Sequence, residues 1–197
     1  MEMERLSTAM QEAEQHLVWM MAEEQVSGEY YLAAVVQDSL VFSLHEFADA
    51  LDLPQVAHLA AEMAVRSALR MVGRHRFAVH EAVRGTYHAL INLGGDATVM
   101  AVPVATGALR ALDGVPEAEG ALWSSARPGS QGASPLTADL AAAVVSGLCA
   151  AADDLGIDDR RIRAMAVHLV SHLGADHLAP GAVWRGESDG SAAESCV

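Results

Sequence analysis

The sequence predicts an all-α fold, a single-domain bundle of about five to seven helices over residues 1–178 with a disordered tail at 179–197. Three observations predict it. Apolar residues recur at three- and four-residue steps along most of the chain, the period that gathers them on one helix face. No run alternates polar and apolar residues as a half-buried strand would. Hydrophobic residues make up 52% and charged residues 19% of the 197, enough apolar surface for one sizeable core.

The elements follow in order. In the first helix Leu6, Met10, Ala13, Leu17, Met20, Met21, Gly28, Tyr31 and Val35 share a face, and Glu24 falls on it too. A second helix is expected over 39–51, closing before Leu53-Pro54. Pro54 suits the first turn of a third helix, which the pattern carries unbroken to Asn92, where Leu93-Gly94-Gly95 stops it. Asp96 caps a fourth over 97–112, which Pro103 should kink or split. Residues 113–135 read as a long loop rich in Gly, Pro and Ser. Thr137 is the expected N-cap of a helix ending at Gly156. A last helix runs from Asp158 to Leu173, with Gly174 beyond it, and periodicity is lost from Pro180 onward.

Composition removes several function classes. The formal net charge is −14 and all 12 basic residues are arginine. Neutralising phosphates needs clustered cations, and a net charge of −14 argues against that, so no DNA partner is expected. A chain without lysine has no Schiff base, no phosphate-loop lysine and no Ser–Lys dyad. Cys149 lies in an apolar run and Cys196 beside the C-terminus, with no Cys-x-x-Cys between them. The longest uncharged stretches, 97–109 and 140–152, are too short to span a membrane. The acidic opening, MEMERLSTAMQEAEQH, does not read as a secretory signal, and a cytoplasmic location is expected.

The densest chemistry lies in residues 73–90, GRHRFAVHEAVRGTYHAL. On one continuous helix Val65, Leu69, Val72, Val79, Val83, Tyr87 and Leu90 form a stripe. Arg76 and His80 fall on or beside it, while His75 and His88 lie away from it and from each other. The three histidines therefore cannot converge on a metal from one straight helix. An arginine among apolar neighbours needs a counter-charge, because an unpaired buried charge costs several kcal/mol. Glu24 and Glu62 are the expected partners, so Arg76, His80, Glu24 and Glu62 form the candidate buried polar contact that sets helix register. A functional pocket is the other reading of the same four residues.

The run Arg74-His75-Arg76-Phe77-Ala78-Val79-His80 also resembles the signature of HEPN-type ribonucleases, an arginine separated from a histidine by four to six residues. Such domains are small, all-helical and commonly dimeric. The resemblance, which covers only this run, implies that Arg74 and His80 would cleave RNA across a dimer interface. Arg70 with His75, and Arg163 with His168, meet the same spacing.

Elsewhere, His168 and His172 stand one helical turn apart, good geometry for two imidazoles on one metal ion. With His80 they are the candidate metal or ligand residues, set against a solvated helix margin. No Glu-x-x-His occurs, which removes the main support for a di-iron bundle. No Gly-rich phosphate loop is present either. The expectation is a non-catalytic helical protein with no cofactor, acting through self-association or a helical protein partner. Leu69 and Val83 are the residues expected in that seam. Two alternatives stand beside it: a bundle holding a metal, haem or small ligand through histidines, and the HEPN-like ribonuclease.

Overall fold

Leu6, Ala9, Ala13, Leu17 and Met21 step along one face and are buried, which is what makes the first segment an amphipathic helix, α1 (Glu2–Ser27). A computed structural model describes residues 2–27, 31–45, 52–72, 75–112, 135–158, 160–165 and 168. After α1 come α2 (Leu32–Leu44), α3 (Leu53–Val72), α4 (His75–Asn92), α5 (Ala97–Leu112) and α6 (Pro135–Asp154). Residues 160–165 are helical as well, and no strand occurs among the described residues. None of the described helices is long and apolar enough to cross a membrane. The expected loop at 113–135 and the expected tail at 179–197 fall outside the described residues, apart from Pro135.

α4 is the hub: it packs against α2, α3, α5 and α6, while α1 lies on α2 and α3. Its buried residues include Ala78, Val79, Ala82, Val83, Tyr87 and Leu90. The helices approach closely because their contact faces are small. α3 buries Ala57, Ala60, Ala61, Ala64 and Ala68, and α5, which packs on it, buries Ala101, Ala105 and Ala108. At three crossings the contact is backbone to backbone. A β-carbon on Gly85 would meet the carbonyl oxygen of Ala33, and one on Gly107 the carbonyl oxygen of His58. One on Gly147 would stand 2.5 Å from the carbonyl oxygen of His80. Glycine at these points is a steric requirement that offsets its cost inside a helix, about 1 kcal/mol relative to alanine.

Two helix ends close as the sequence suggests. Gly94, at φ 92°, and Gly156, at φ 66°, take the left-handed conformation. The Gly95 amide donates to Leu90 and the Ile157 amide to Ala152, each at 2.9 Å, satisfying carbonyls that the last turn leaves open. Asp96 caps α5, its Oδ1 accepting from the amides of Thr98 at 2.9 Å and Val99 at 3.0 Å. The Tyr87 hydroxyl donates to the Ala97 carbonyl at 2.7 Å and so pins the start of α5 to α4. Burial, with Asp96 adding to it, pushes this phenol up to about 12.

Four expectations are corrected. The long third helix is two helices, α3 and α4, which pack on each other. Folding back lets both halves of the apolar stripe be buried within one chain, and Gly73 between them is a weak helix former. Val83, expected in a seam with another copy, is accordingly 0% exposed. The first face does not continue through Gly28: α1 ends at Ser27 and α2 begins at Leu32, seven residues ahead of the expected Ser39. Of the two outcomes expected of Pro103, a kink or a split, the split does not occur. The carbonyl that the proline's missing amide leaves without a donor belongs to Val99, a residue 51% exposed and open to water. α6 starts at Pro135 rather than after Thr137, with proline in the first turn where no amide is needed.

The glycine crossings make a graded prediction. Gly107→Ala should cost about 3 kcal/mol, lowering the melting temperature by roughly 6–12 °C. Gly94→Ala meets no atom within 4 Å and carries only the backbone strain of a positive φ, about 1 kcal/mol. Denaturant unfolding of both variants checks the order; an equal loss would contradict the close-packed crossing.

Candidate functional site

Three surface features concentrate the chemistry of this fold. The first lies between α4 and α6. His80 Nδ1 meets Glu81 Oε1 at 2.8 Å, and Arg84 reaches Glu81 at 3.8 Å with Nη1 and Asp154 at 2.6 Å with Nε. His88 Nε2 lies 3.3 Å from both Asp154 Oδ2 and the Ala151 carbonyl oxygen. The hydrogen bond with His80 holds the Glu81 carboxyl below its ordinary range, with Arg84 adding to it. The Arg84 hydrogen bond does the same to Asp154, and Asp154 in turn raises Arg84. Every carboxylate here is engaged by a cation or an imidazole. The arrangement locks α6 along α4. Gly147 sits over His80 while Ala151 and Asp154 sit beside His88, so the two helices run in the same direction.

The second feature joins α3 to α5. Glu62 receives Arg66 at 2.7 Å from its own helix and Arg110 at 3.8 Å from α5, with His58 Nε2 also 3.8 Å away. Burial lowers the pKa of His58, opposed by Glu62 and assisted by Arg110. This network surrounds the point where Gly107 meets the His58 backbone.

The third feature is aromatic and spans α1 and α2. His16 Nδ1 and the buried Ser39 hydroxyl share a hydrogen bond of 3.0 Å. The imidazole so held stacks on Phe42 with centroids 5.2 Å apart and lies tilted beside Trp19 at 6.0 Å. Trp19 is 54% and Phe42 68% exposed.

The residues singled out in the sequence are only partly brought together. Glu62 and His80 are both partly buried and paired, but in separate networks on α3 and α4. Arg76 is exposed, so the buried contact expected of it with Glu62 or Glu24 is corrected. It shares the angular position of Val83 but stands in the first turn of α4, where its long side chain reaches water. The Glu24 side chain, Arg74 and His172 lie outside the described residues, and with them the HEPN-like pair and the expected metal set. His168 is exposed. Among the described residues no group of three or more His, Cys, Asp or Glu side chains could hold a metal ion.

Periodicity does not reveal Asp154 as a partner of Arg84, because the two are separated by 70 residues. The Glu81–Arg84 spacing of three is visible in the sequence as a helix-surface pair. Trp19 and Phe42 carry no local signal except that they fall off the apolar faces of their helices. No family model, curated protein or solved structure matches the chain.

The α4–α6 network yields a pH prediction. Glu81 and Asp154 have lowered folded-state values, so they contribute stability above the ordinary carboxylate range, near pH ~4. That contribution is lost as pH falls through the lowered values. Asp154→Asn should cost up to about 1 kcal/mol at neutral pH, because the pair is partly solvated. Its unfolding curve should converge on that of the wild type in acid; a difference independent of pH would contradict the network.

Proposed function

We propose that this chain is a non-catalytic accessory protein that acts by docking a protein on the outer face of α1 and α2. The observation that carries the reading is the group of His16, Trp19 and Phe42, in which two large aromatic side chains, each in ring contact with His16, stay more than half exposed. Tyr31, the N-cap residue of α2, is also 66% exposed. Covering a half-exposed aromatic ring stabilises a complex by about 2 kcal/mol. Tryptophan and tyrosine are the side chains on which protein contacts most often depend. The Ser39 bond fixes the imidazole in the group before any partner arrives, which reduces the ordering cost of binding. The two ion-pair networks, by contrast, occupy their own charges in joining helices.

A photocrosslinking amino acid at position 42, introduced into the full chain in its native host, tests the reading. It should give one discrete heavier adduct, to a second copy or to another protein, and Trp19→Ser should abolish it. The same crosslinker at position 76, exposed at the start of α4, should give none. Absence of an adduct at 42, or an adduct indifferent to Trp19→Ser, would overturn the docking face.

A further inference from the structure

Resting on that reading, we infer that the partner is a different protein that lays an amphipathic helix, apolar on one side and flanked by arginine or lysine, across α1 and α2. The inference comes from what surrounds the aromatic rings. On α1, Glu12, Trp19 and Glu23 are separated by seven and four residues and fall on one stripe, and all three are exposed. Asp38 and Phe42 on α2, with Tyr31 at its N-cap, are separated by seven and four residues and are likewise exposed. The face therefore reads as aromatic anchors at a helical repeat with a carboxylate one turn from each of Trp19 and Phe42.

Two neighbouring helices offering parallel exposed stripes form the kind of surface on which a third helix packs by placing its side chains between theirs. Arginine or lysine beside the apolar side of that helix would meet Glu12, Glu23 and Asp38. The same cations are attracted to the faces of the exposed rings. A chain of net charge −14 also draws a basic partner over longer distances and speeds encounter.

The same charges argue against a second copy. A two-fold contact pairs one surface patch with itself. Glu12, Glu23 and Asp38 would then confront identical carboxylates with no cation supplied from the described part of either stripe. Like charges set against each other in this way disfavour association.

Fluorescence anisotropy of labelled synthetic peptides with the full-length chain tests the inference. The probes are a helix with leucines on one side and arginines beside them, the same helix with glutamates for arginines, and a scrambled peptide of the first composition. The arginine helix should bind at least roughly tenfold more tightly than either of the others and weaken with added salt. Phe42→Ser and Trp19→Ser should each weaken it roughly tenfold or more, with unchanged circular dichroism. Glu23→Arg combined with Asp38→Arg should do the same, whereas Asp153→Arg, exposed on α6, should not.

Equal binding of the scrambled or glutamate peptide, or binding indifferent to Phe42→Ser, would overturn the inference by reducing it to attraction for net charge. A dimer of the chain alone in native mass spectrometry, broken by Phe42→Glu, would overturn the partner's chemistry while leaving α1–α2 as a docking face. Failure of the crosslink from position 42 would remove the docking face itself, whatever the peptides do.

Discussion

The spacing of this bundle depends on backbone atoms occupying the space where a β-carbon would stand. Gly85 against Ala33, Gly107 against His58 and Gly147 against His80 bring α4 to α2, α5 to α3 and α6 to α4. Once backbones approach this closely, the side chains around each crossing must be small, and the alanine-rich faces of α3 and α5 supply them. Dispersion contacts across such an interface are short and numerous, which compensates for the modest area each alanine buries. The polar networks are placed around these crossings. Glu62 and Arg110 flank the Gly107 contact, and His80 both bonds Glu81 and offers its carbonyl to Gly147.

Much of the fold was legible because its signals are local. The three- and four-residue repeat identifies the helices, and the glycines at 94 and 156 mark helix ends through the φ they adopt. Asp96 is recognisable as a cap because its carboxylate needs only the next two amides that follow Thr98's neighbour in sequence, those of Thr98 and Val99. The division between α3 and α4 was not legible. Valine and tyrosine continue in phase across Gly73, and the gain that divides the helix comes from burying α4 among four neighbours. Periodicity shows which side of a helix is apolar, and it cannot say whether one straight stripe or two folded halves will cover it.

The surface features were less legible than the core for a related reason. Arg84 and Asp154 become partners only when α6 lies along α4, and His16 meets Phe42 only when α2 turns back on α1. A polar or aromatic residue off the apolar face has no visible partner in one helix taken alone. The histidines drew attention because they are chemically versatile, yet in the structure three of them, His58, His80 and His88, join ion-pair networks between or along helices. Trp19 and Phe42 stand out by being left exposed, a property that exists only once the rest of the chain has folded.

The shared direction of α4 and α6 has a consequence for how the chain reaches this state. Two helices that run the same way cannot be neighbours through a tight turn, so α5 and the segment after it must intervene. The contacts that hold α6, between His80 and Gly147 and between Arg84 and Asp154, therefore close loops of 70 residues or nearly so. Hairpins such as α1–α2 and α3–α4 close far shorter loops and form on faster timescales. During synthesis the side of α4 that receives Gly147 stays uncovered by α6 until α6 has left the ribosome. For that interval α4 presents to water a side that the finished protein covers.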